Sequence, residues 1–152
     1  MRLIHTGGKS MNAFPKSKNR MNVMALSLAL ALGVTSATAL AADVKLSGDQ
    51  EVPAVKSAGA AAGAITIGDD GAVSGSVTAT GFTPTAAHIH QAAAGKNGPV
   101  IVPFTKDGDK FSAPAGAKLT PDQMKAYKAG ELYVNVHSAA NPGGEVRAQL
   151  KP

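Results

Sequence analysis

An all-β fold, a Greek-key-like sandwich or squat barrel of about seven or eight strands, is what this sequence predicts. Three observations lead there. Short apolar stretches alternate with polar residues in period two, Gly, Pro and Asp punctuate them at regular spacing, and one segment alone carries helix-start chemistry.

The strands follow in order. Val44 and Leu46 flank Lys45 in an opening alternation. Segments 64–67 and 73–80 flank Gly68-Asp69-Asp70-Gly71, a hairpin signal. Segments 100–104 and 110–112 flank Asp107-Gly108-Asp109 and read as a second hairpin, with Pro103 marking an edge position or a bulge. Leu132, Val134 and Val136 form one face of the cleanest strand, and Val146, Ala148 and Leu150 form the inward set of the last. Segment 48–62 is Ala/Gly-rich and reads as a long loop or an irregular edge strand. The exception to the β pattern is a short helix at 121–129. Thr120 is its cap, Pro121 its first residue, Gln123 completes a capping box and Gly130 supplies the stop.

The first forty residues have another character. Lys16, Lys18 and Arg20 precede an apolar run from Val23 to Leu32, followed by small residues ending in Ala39-Leu40-Ala41. This is the pattern of a cleaved signal peptide, 1–41, with the functional domain at 42–152. The run is short and diluted by Ser and Thr for a bilayer span, which needs about 20 apolar residues. The expected location is periplasmic or secreted, with no membrane association after cleavage. The chain has no Cys, so the exported domain is no disulfide scaffold, and thiolate chemistry is excluded.

The chain carries 15 basic and 10 acidic side chains, but five of the basic ones (Arg2, Lys9, Lys16, Lys18, Arg20) precede the apolar run. From Ala42 onward the charges balance. A nucleic-acid surface, which needs clustered positive charge, is therefore not expected.

The chemistry concentrates in His88-Ile89-His90 and His137. On a strand, residues i and i+2 project from one face with Cα atoms about 6.8 Å apart, so two imidazoles can converge on one ion. His137 lies opposite Leu132, Val134 and Val136, on the face of Tyr133 and Asn135. Pairing of the two strands would gather all three histidines into a site for Zn or Cu with an open coordination position. Structural histidines that donate to a carbonyl or a carboxylate are the competing reading. Glu51, before Pro53, would orient a histidine, act as a ligand itself, or be a solvated loop charge. Glu145 and Arg147 read as a surface ion pair, and Asn141-Pro142-Gly143-Gly144 as a structural turn. Nucleophile-elbow, phosphate-loop, dinucleotide and HExxH motifs are all missing, and no catalytic residue is assigned.

Four blocks give the chain a likeness. Residues 46–55 (LSGDQEVPAV), 86–90 (AAHIH), 95–100 (GKNGPV) and 132–150 (LYVNVHSAANPGGEVRAQL) together resemble the CHRD (chordin-type) domain, found in animal chordins and exported bacterial proteins. The chain departs from that pattern at Ala54, Gln91 and Ala148. The resemblance implies a β-rich exported module whose motif contains Glu51, His88, His90 and His137, but no established reaction. The expected function is binding of Cu or Zn through the three histidines. The alternatives are a non-catalytic module that binds an envelope protein or glycan, and a metal enzyme. The latter would be similar to copper–zinc superoxide dismutases, although their disulfide and additional histidine are missing here.

Overall fold

The computed structural model of the protein describes residues 41–152. The expected signal peptide lies almost wholly outside that range. Among the described residues nine strands are present: β1 (Ala42–Leu46), β2 (Ala60–Ile67), β3 (Val73–Thr80), β4 (Pro84–Gln91), β5 (Val100–Pro103), β6 (Thr105–Asp107), β7 (Lys110–Ser112), β8 (Leu132–Ser138) and β9 (Val146–Leu150). One helix, α1 (Pro121–Lys128), joins β7 to β8. The strands form two antiparallel sheets, ordered β1-β2-β3-β7-β6 and β5-β4-β8-β9. The fold is thus the sandwich, not the barrel, with more strands than expected.

The additional strand comes from the second hairpin. Its arms are β6 and β7, whereas Val100–Pro103 pairs with β4 in the other sheet. Pro103 and Phe104 make the crossover between sheets, and the Phe104 N–H donates to the Ala87 carbonyl. Proline fits there because β5 is an edge strand and one side of it needs no ladder donor.

Alternation builds the core. Val44 and Leu46 from β1, Ile65 from β2, Val77 from β3, Ile89 from β4 and Phe111 from β7 meet Leu132, Val134, Val136, Val146 and Leu150, all buried. The helix forms through its predicted capping box: the Gln123 N–H donates to Thr120 Oγ1 at 3.3 Å, and the Thr120 N–H donates to Gln123 Oε1 at 2.8 Å. It buries Ala126, with Met124 and Tyr127 packed against the core.

Segment 48–62 is chiefly loop. It opens with a single 3-10 turn, Gly48–Gln50, and its last three residues begin β2. Asn97 Nδ2 donates to the Val52 carbonyl at 2.7 Å, and Ser57 bonds Glu145, which pulls three loops together. All seven residues of β8 are consequently buried, so Tyr133, Asn135 and His137 are as enclosed as the core side chains between them.

A three-histidine site on the outer face of the smaller sheet

Strands β4 and β8 pair directly, with His90 opposite Tyr133, His88 opposite Asn135 and Ala86 opposite His137. Ile89 points into the core and is fully buried, so His88 and His90 project together from the outer face. His137 lies diagonally across from His88, and the His88 Nδ1 to His137 Nε2 distance is 2.9 Å. One ring nitrogen from each of the three histidines falls within 4.8 Å of the others. The sequence-predicted convergence is present.

The rings are held from behind by main-chain carbonyls. His90 Nδ1 donates to the Gly98 carbonyl and His137 Nδ1 donates to the Pro142 carbonyl, each at 2.9 Å. A carbonyl can only accept, so both Nδ1 atoms carry hydrogen and both Nε2 atoms hold lone pairs. His90 Nε2 is buried without a hydrogen-bond partner among the described residues. His137 Nε2 accepts from His88 Nδ1–H.

Burial first, and then the neighbouring rings of His137 and His90, push the His88 pKa down to about 4. Burial also lowers His90 and His137, against the opposing effect of their carbonyl partners. All three imidazoles are neutral at pH 7, so each ring keeps one nitrogen without a proton.

Glu51 is buried beside the cluster and is not one of the converging groups. Its carboxyl lies next to Asn135 and Gly144: a Cβ on Gly144 would fall 2.2 Å from Glu51 Oε1. It does not orient an imidazole, because the Gly98 and Pro142 carbonyls already take the ring protons. Burial raises its pKa, outweighing the opposing influence of Arg147 and the nearby Asn135 amide. Oε1 of Glu51, Nε2 of His90 and Oδ1 of Asn135 are the buried side-chain polar atoms without partners among the described residues, and all three belong to this face.

The expected surface pair is overturned. Glu145 and Arg147 are 7% and 1% exposed, and they do not pair. Glu145 accepts from Ser138 Oγ at 2.7 Å and also from Ser57 and Asn141, tying down the turn that carries Pro142. Arg147 lies over the ring of Tyr133, with Cζ 3.4 Å from the ring centre. Tyr133 in turn stacks on His90 at 4.8 Å, with the planes 7° apart. The period-two pattern placed Tyr133, Asn135 and Arg147 on the outer face. That this face is enclosed comes from the loops, which the pattern does not describe. Likewise the Asn141–Gly144 turn, read as purely structural, supplies the carbonyl that orients His137.

Fold and site together define a β-sandwich whose smaller sheet carries a histidine cluster with two buried members and one half-buried. The family model for the CHRD domain matches residues 42–150, and the chain belongs to that family. Comparison with curated proteins and with solved structures returns no match.

Proposed function

We propose that this CHRD domain binds a transition metal, Cu or Zn, through His88, His90 and His137. The observation that carries the reading is the buried Nε2 of His90, a lone pair without a partner that shares a small volume with two other imidazole nitrogens. Zn–N bonds of about 2.0–2.1 Å put two ligands on one ion at most about 4.2 Å apart. The 2.9 Å between His88 Nδ1 and His137 Nε2 satisfies that limit once the ion takes the place of the Nδ1 hydrogen and His88 carries its proton on Nε2. The three ligand nitrogens lie within 4.8 Å of one another, so binding one ion requires the rings to draw slightly closer. Carbonyl partners on the far ring nitrogens are the usual companions of metal-bound histidine, since they fix the tautomer that coordinates. Histidine serves both Zn and Cu, so the donor set fits the group. The basic and apolar leader supports a periplasmic or secreted setting for this binding.

Titration calorimetry and native mass spectrometry of the purified domain with Zn(II), Cu(II) and Cu(I) test the reading. One ion per chain and a rise of several degrees in Tm are expected. His90→Ala should weaken binding by about a hundredfold or more while the domain stays folded. An unchanged Tm and no heat with any of the three ions would overturn it.

A further inference from the structure

The face that carries the imidazoles also buries a permanent positive charge. We propose that Arg147 sets the specificity of the metal site, favouring Cu(I) over Zn(II) and Cu(II). The inference rests on the metal-binding reading of the histidine cluster and goes further by choosing among the ions.

The geometry is a column of guanidinium on phenol on imidazole, built from Arg147, Tyr133 and His90 at 3.4 and 4.8 Å. Arg147 is 1% exposed, so water screens its charge poorly. Its hydrogen bonds go to neutral amide oxygens, Asn97 Oδ1 and Gln149 Oε1, each at 3.3 Å. No ion pair forms to it among the described residues: those present, Lys118–Asp70 and Lys125–Asp122, lie on the surface. The Glu145 carboxylate is taken up by Ser57, Ser138 and Asn141. The buried Glu51 carboxyl acts on Arg147 from the same face, but it forms no ion pair with it among the described residues, so no bound carboxylate cancels the guanidinium charge.

The three imidazole ligands are neutral too, so no thiolate or carboxylate in the donor set offsets an incoming ion. A divalent ion places one more unit of charge against Arg147 than a monovalent ion does. Across two stacked rings, roughly 8 Å, and at an effective dielectric near 20, that unit changes relative affinity by about tenfold or more. Arginine suits this position because its planar cation stacks on an aromatic face and keeps its charge when buried.

The test compares the wild-type domain with R147M and R147K. Cu(I), Cu(II) and Zn(II) affinities are measured by competition with chromogenic chelators, together with the midpoint potential of the bound copper. R147M should shift the balance toward the divalent ions by about tenfold, lowering the midpoint by about 59 mV per tenfold for one electron. R147K, whose ammonium does not stack on Tyr133 and loses its proton more readily when buried, should fall between the wild type and R147M. The wild-type midpoint itself should lie above that of aqueous copper, a readout that survives if R147M fails to fold. Binding of all ions with an unaltered balance in folded R147M, or a wild-type midpoint below the aqueous couple, overturns the role of Arg147 alone. Failure of the wild type to bind any of the ions overturns the metal site as well.

Discussion

A neutral imidazole has one N–H and one lone pair, and the carbonyls of Gly98 and Pro142 take the N–H of His90 and His137. Two backbone atoms thereby decide which nitrogen of each ring faces the cluster. Keeping the rings uncharged has a consequence for acid stability. His88 titrates near pH 4 in the fold and near 6.5 when unfolded. Between those values the unfolded chain binds a proton that the folded chain refuses, so stability falls as pH drops through this window. His90 and His137 are depressed in the same direction and add to the effect. Glu51 acts oppositely: its raised pKa favours the fold at low pH, and that contribution is lost as pH rises through its folded value. Urea midpoints of the metal-free domain should decrease from pH 7 to pH 5, and His88→Ala should flatten that slope. A wild-type midpoint that does not change over this range would mean the rings are not held neutral.

Strand β4 positions two of the three clustered histidines, but the loop after it orients one of them. The Gly98 peptide accepts from His90 Nδ1, and its N–H donates to the Tyr133 hydroxyl at 3.3 Å. A Cβ at this position would fall 1.9 Å from the Gln91 carbonyl oxygen, so the close approach requires glycine. Gly98→Ala should destabilise the domain by about 1–3 kcal/mol and weaken metal binding beyond the loss expected from stability alone. Denaturant unfolding read beside metal titration separates the two effects. Elements governed by local chemistry were readable in advance: the capping box at Thr120 and Gln123 formed as expected, and so did the hairpin across Gly68–Gly71. The division of 100–112 between two sheets was not. Val100–Pro103 has the same alternation whichever partner it takes, and the choice is made by the distant strand β4.

The two sheets are stitched along one side by a pair of backbone hydrogen bonds between Ser47 and Arg147, each at 3.1 Å. This seam covers the β1 edge of one sheet and the β9 edge of the other, and edges are where sheets are most open to unwanted pairing. It also anchors the backbone of Arg147, so the residue proposed to choose the ion is held by the contact that joins the sheets. Between the sheets Phe111 is fully buried among aliphatic side chains. Phe111→Ala should cost about 3–5 kcal/mol in thermal or denaturant unfolding. That is a large share of the stability of a domain this size. A cost under 1 kcal/mol would show that the sheets close up around the missing ring.

Residue order alone determined that the domain is built of strands, that one short helix interrupts them, and that His88, His90 and His137 share a face if β4 meets β8. Side-chain direction repeats every two residues, and capping acts over four, so both are local properties. Only the tertiary structure decided that this face is enclosed, that Arg147 is buried over Tyr133 instead of paired on the surface, and that main-chain carbonyls orient the rings. Burial is set by segments far apart along the chain, here 48–59, 92–99 and 139–145, and no periodicity within one segment registers what another lays over it.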